Sequence, residues 1–133
     1  MNIEAFLLCD AATDQHGKLN VLGAFDTIWT KKLPAMHPAC AIVTRIRFAN
    51  IEDGSHSVKI RIIDRDGRNI GPKLEGSISV KAMPNLDSSA ANLILNIQRL
   101  EFKQYEQYRI DLAIDDEIKA SLPLWVTEIP NQA

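Results

Sequence analysis

Three histidines, two cysteines and two short acidic clusters are the side chains best suited to chemistry in this 133-residue chain. His37-Pro-Ala-Cys40 is the only pair at a metal-like spacing. A tetrahedral zinc site needs three or four ligands, and His16 and His56 lie too far along the chain to complete one locally. Asp64-Arg65-Asp66-Gly67 and Asp115-Asp116-Glu117 offer the hard oxygens that calcium prefers, but neither has the spacing of an EF-hand loop, and Asp favours turns for its own backbone reasons. Ser55-His56 sets a hydroxyl beside an imidazole without a Gly-x-Ser-x-Gly elbow or an adjacent orienting carboxylate. The glycines stand apart at 17, 23, 54, 67, 71 and 76, so no glycine-rich loop is available to cradle a phosphate. No catalytic, cofactor-binding or metal-ligating residue follows from these patterns.

Binding chemistry is better represented. Arg45 and Arg47 alternate along one strand-like run, and Lys59 and Arg61 along the next. If the two runs form a hairpin, all four cations share its outer face, where like charges opposite each other are destabilising. Either outward carboxylates such as Asp111 and Asp115 compensate, or an acidic partner does. Arg45, Arg47, Lys59 and Arg61 are therefore a candidate interaction face. Trp29 and Trp125 are candidate interface anchors, because tryptophan concentrates at binding hot spots. Trp125 falls in the final strand, a common sheet edge, where an exposed apolar row would favour self-association by sheet extension. Nucleic acid is not an expected partner, since fifteen Lys and Arg face seventeen Asp and Glu and no aromatics interleave with the cations.

The elements that must position these residues read as strands. Ala41 to Phe48 puts Ile42, Thr44, Ile46 and Phe48 on one side, and Val58 to Asp64 does the same with Val58, Ile60 and Ile62. Ile3 to Cys9 pairs with Leu19 to Phe25 across a polar connection, and Thr27 to Thr30 either continues that strand or forms its own. Pro34 and Pro38 forbid a regular helix or central strand before Cys40. Glu75 to Lys81 alternates again, and Ala91 to Gln98, although rich in helix formers, alternates well enough to be a strand among strands. A short helical turn is expected over Lys103 to Gln107. Tyr108 to Ile114 and Ile118 to Val126 close the chain as a hairpin.

With 46% apolar and 24% charged residues and a net charge of −2, the composition is that of a soluble globular protein. The expected architecture is a single antiparallel β-sandwich over residues 1–130, with about eight or nine strands and a loose tail at 131–133. The acidic start and the five-residue apolar run Ala5 to Cys9 do not make an export signal, and no run approaches the ~20 apolar residues of a membrane span. A cytoplasmic location with no membrane association follows, with Cys9 and Cys40 as reduced, buried thiols.

Leu100 to Ile114 followed by Leu122-Pro123-Leu124-Trp125-Val126 resembles the closing strands of immunoglobulin-like sandwiches. That resemblance assigns Tyr108 a structural role, its hydroxyl bonding upstream backbone at a corner. The inter-sheet cysteine pair and the strand-C tryptophan of antibody domains are not present. Glu4 to Ala12, Gly17 to Asp26 and Asn92-Leu-Ile-Leu-Asn96 are similar to a bacterial family of small uncharacterised proteins, a domain of unknown function. This similarity implies a cytoplasmic bacterial β-sandwich and carries no site residues. The expected function is a non-enzymatic protein-interaction or assembly module, with a protein partner or self-association and no cofactor. The alternative is a hydrolase or metal-assisted enzyme with a loop-borne site.

Overall fold

A computed structural model of the chain describes residues 1–130; the expected tail at 131–133 lies outside the described residues. Nine strands follow one another: β1 (Asn2–Gln15), β2 (Lys18–Ala24), β3 (Thr27–Thr30), β4 (Ala35–Ala49), β5 (Gly54–Ile63), β6 (Leu74–Val80), β7 (Ser88–Phe102), β8 (Gln107–Ile114) and β9 (Glu117–Glu128). Their order is β2-β1-β4-β7 in one sheet and β3-β9-β8-β5-β6 in the other. The result is a β-sandwich of four strands on five, antiparallel throughout except where β3 runs parallel to β9.

Side-chain alternation builds the core. From β4 come Ile42, Ile46 and Phe48, from β5 Val58, Ile60 and Ile62, from β8 Ile110, Leu112 and Ile114, and from β9 Leu124 and Val126, all within one buried cluster between the sheets. Each such aliphatic side chain stabilises the fold by roughly 1.5–3 kcal/mol relative to exposure. Thr44 shares that inward parity, is fully buried, and has a hydroxyl without a hydrogen-bond partner among the described residues. Tyr108 packs edge-on to Phe102, with ring centroids 5.0 Å apart, and its hydroxyl donates to the Gln104 carbonyl at 3.0 Å.

Three expectations about strand arrangement change, and one about a helical turn. The expected hairpin of β4 and β5 does not form: a 3₁₀ turn at Asn50–Glu52 carries the chain out of the four-stranded sheet and into the five-stranded one. Pro38 lies inside β4, which sits between β1 and β7. Because β1 pairs with β4 only as far as Ala41, residues 35–40 are an edge segment on that side, where proline is tolerated. Finally, β3 covers β9 from Trp125 to Glu128, leaving only Glu117–Leu124 as an edge segment, so Trp125 does not lie on an open strand margin. Ala91 to Gln98 is indeed strand, within the longer β7, while 103–106 bends without forming a helical turn.

β1 and β2 extend beyond the sheet as an arm. A two-residue turn at His16 and Gly17, both with positive φ (53° and 80°), joins them. The arm folds over the outside of its own sheet, where Ala12 and Leu19 pack on Cys9, Ala41 and Val43, all three fully buried.

Candidate functional site

The outward side chains of the two sheets have different surroundings, and the four candidate cations divide between them. Arg45 and Arg47 lie on β4 in the four-stranded sheet; Lys59 and Arg61 lie on β5 in the other. The shared four-cation face expected from the sequence therefore does not exist. Its premise, that β4 and β5 are hydrogen-bonded neighbours, fails at the 3₁₀ crossing.

Arg45 and Arg47 are engaged within the chain, sharing one carboxylate and several neutral acceptors. Glu4 accepts the Arg45 Nε at 2.9 Å and the Arg47 Nε at 2.7 Å, and the Arg47 hydrogen bond is the main reason its carboxyl titrates below the usual range. Arg45 also donates to Asn92 Oδ1 at 3.0 Å and to the Gly17 carbonyl at 3.4 Å, and Arg47 to Ser88 Oγ at 3.1 Å. Asn92 in turn donates to Asp14 and to the Gly17 carbonyl, pinning the arm tip across β4 and β7. Glu4 carried no signal in the sequence, because the register shift between Ile3 and Ala5 breaks the alternation that would place it.

The outer face of the five-stranded sheet is open. Register sets its side chains in rows: Thr27, Trp125 and Gln107; then Pro123, Arg109 and Ile63; then Ser121, Asp111 and Arg61. Inward parity belongs to Ile28, Leu124 and Val126, so Trp29 and Trp125 both point outward, diagonal neighbours on adjacent strands, 58% and 46% exposed. Asp111 is the fixed point of this face. Although outward, it is only 4% exposed, gripped by Arg109 through Nε at 2.8 Å and Nη2 at 3.0 Å, and by the Ser121 hydroxyl at 2.6 Å. Such a bidentate pair is planar and geometrically specific. Arg61 sits directly opposite Asp111, yet forms no ion pair or hydrogen bond among the described residues. Lys59 reaches Asp116 at 2.7 Å, and that hydrogen bond raises its ammonium above the ordinary lysine range. A shallow groove of about 370 Å³ runs between Lys59, Arg61, Arg109 and Ile118.

The residues first considered for chemistry are spread over the molecule. His37 lies on β4 beside Phe25, with ring centroids 5.4 Å apart, and Cys40 is buried in the core, where desolvation pushes its thiol up to about 11. Cys9 occupies the opposite side of the sheet, in the cluster under the arm, and its thiol is likewise raised by burial. Both are free thiols. Ser55 and His56 do not make a nucleophile and base. The His56 ring stacks on Phe48, its Nδ1 lies 2.7 Å from an Asp115 oxygen and its Nε2 2.7 Å from the Glu52 carbonyl. Two acceptors facing both nitrogens favour the imidazolium, and the Glu52 carbonyl is the main contact raising its affinity for the proton.

Asp115 and Asp116, both with positive φ, form the two-residue turn between β8 and β9, and they serve His56 and Lys59. Asp64 accepts the backbone N–H groups of Asp66 and Arg68, each at 2.9 Å, closing its own loop. That loop borders a cleft of about 520 Å³, with Glu101, Glu106 and Tyr108 on its walls. Among the described residues no three or more His, Cys, Asp or Glu side chains are grouped to hold a metal ion. No helix among them is long and apolar enough to cross a membrane.

A search of curated proteins finds no match. A protein-family model matches residues 4–127, nearly the whole of the sandwich. The chain thus belongs to DUF6941, a family of unknown function.

Proposed function

We propose that this chain is a non-enzymatic, cytoplasmic interaction module that presents the outer face of its five-stranded sheet to a protein partner. The observation that carries this reading is the pair Trp29 and Trp125, side by side on one outward surface and each about half exposed. Large aromatic side chains in that state leave apolar area for a partner to cover, and tryptophan is a frequent hot-spot residue. Arg61, on the same face two strands from Trp125 and without an ion pair among the described residues, favours a partner that carries an acidic group beside its apolar contact. Rigidity supports the same reading, since the Arg109–Asp111–Ser121 grip holds the centre of the face in one geometry.

The chemistry-bearing residues have other duties. Both ring nitrogens of His56 face acceptors, Cys40 is buried, and Asp64, Asp115 and Asp116 are engaged in turns. A cytoplasmic location suits a chain with two free, buried thiols. The bacterial source and the immunoglobulin-like kinship expected from the closing strands accompany this reading, and the Tyr108 corner bond supports the latter.

The test is affinity capture from the native cytosol, followed by a binding titration with the purified partner. Trp29→Ala with Trp125→Ala should weaken binding by about 30-fold or more, as expected for hot-spot aromatics. Arg61→Glu should weaken it further, with the melting temperature unchanged. Equal affinity for wild type and both variants would refute the assignment of this face.

A further inference from the structure

Four strands end the two sheets, β2 and β7 in one and β3 and β6 in the other. An edge strand presents a row of unpaired N–H and C=O groups, and stable monomers blunt it with short length, charge, proline or a bend. Three of the four follow that rule. β3 has four residues and runs into Lys31-Lys32. β6 has seven, carries Glu75, and is flanked by Lys73 and Lys81. β2 also has seven, begins at Lys18, and contains Gly23 at a φ of 69°.

β7 follows it only at its far end, where Arg99 has a φ of 56° and Glu101 adds a second charge; Ser88 to Gln98 does not. The fifteen residues of β7 pair with β4 along one side, from Ser88 opposite Ala49 to Phe102 opposite Ala35. On the other side, no β7 backbone group hydrogen-bonds another element among the described residues. From Ser88 to Gln98 it holds no charge, no proline and no glycine. The segment leading into it leaves Met83 and Leu86 about half exposed.

We propose that β7 pairs antiparallel with β7 of a second copy of this chain, joining two four-stranded sheets into one continuous sheet of eight. Self-complementarity of β7 identifies a second copy as the partner. With Leu93 opposite Leu93, the uncharged segment Ser88–Gln98 lies against itself, and just beyond its ends Arg99, at a φ of 56°, and Asp87, in the bend before β7, fall opposite each other twice over, once on each side of the two-fold axis. A hydrogen bond from the Asn50 N–H to the Asp87 carbonyl, 3.2 Å, fixes the backbone at that position. Opposite charges set across paired strands stabilise the register they mark. The paired segment is ~37 Å long and one sheet thick, so the contact covers on the order of 700 Å² in total, below the ~1,000 Å² of durable complexes. The dimer is therefore dissociable. It uses a different surface from the tryptophan face and does not depend on it.

Sedimentation velocity of the full chain between about 1 and 500 µM tests the proposal, because a weak dimer forms by mass action across that range. Wild type should shift from one to two chain masses. Ala90→Lys with Asn96→Lys, which sets lysines opposite one another in this register, should remain monomeric throughout. Arg99→Asp should weaken the dimer by about tenfold, and adding Asp87→Arg should restore it, since like charges across paired strands repel. Trp29→Ala with Trp125→Ala should leave the dimer intact. A monomer at every concentration, or a dimer indifferent to both the lysine pair and Arg99→Asp, would overturn the proposal. If the lysine variant fails to fold, the charge swap alone decides.

Discussion

The outsides of the two sheets are built from the same alternating strands but finished in different ways. On the four-stranded sheet, outward Cys9, Ala41 and Val43 are apolar and fully buried, because the β1–β2 arm lies over them and is pinned at its tip by Arg45 and Asn92. On the five-stranded sheet the outward positions are tryptophans, arginines and one clamped carboxylate, with nothing above them among the described residues. An outward position in a sandwich is thus not automatically a surface. One outer face became a second small core, and the other was left for contact.

The sharpest way to break this comparison is to place a carboxylate at the same parity on each side. Val43→Asp, beneath the arm, should cost more than about 3 kcal/mol by burying an unpaired charge, whereas Gln107→Asp on the open face should stay within about 0.5 kcal/mol. Denaturant unfolding measures both, and equal losses would abolish the distinction. A smaller effect is expected behind the open face. There Tyr108→Phe removes the hydroxyl bond to Gln104 and should lower stability by about 0.5–1.5 kcal/mol, with the core ring still in place.

The smallest effect concerns His56, at the end where the chain crosses between the sheets. Its folded pKa is raised above the ordinary histidine value by the Glu52 carbonyl and Asp115. The folded state therefore holds the proton more tightly, and the stabilisation is complete below about pH 6.5 and lost as pH rises through the folded value. Wild type should melt higher at pH 5.5 than at pH 8.5, and His56→Gln should flatten that difference. A wild-type slope of opposite sign would remove the imidazolium.

Strand identities and inward parities were legible wherever alternation was clean, as in Ile42, Ile46 and Phe48 or Val58, Ile60 and Ile62. The β4–β5 crossing was not. Residues 50–54 have ordinary turn chemistry, and nothing local distinguishes a turn within a sheet from a step between sheets. The covered face left a trace that alternation alone obscures. Ala41 and Val43 fill outward positions beside inward Cys40 and Ile42, and such a continuous apolar run marks a strand buried on both sides. For the candidate contact face, Trp29 and Trp125 were visible as residues but not as neighbours, because the parallel pairing of β3 with β9 joins segments nearly a hundred positions apart. The Arg109–Asp111 fork was readable in principle, since alternate residues of one strand share a side.

The arm is held at its tip by side chains, not by a backbone ladder to β4 or β7. Lifting of the arm alone would break none of the β1–β4 pairs from Asn2 to Cys9, a sub-global opening of the kind that sets protection apart from overall stability. Cys9 would be uncovered by that event and Cys40 only by loss of the whole core, so the two sulfurs serve as clocks for two different unfastenings of one molecule.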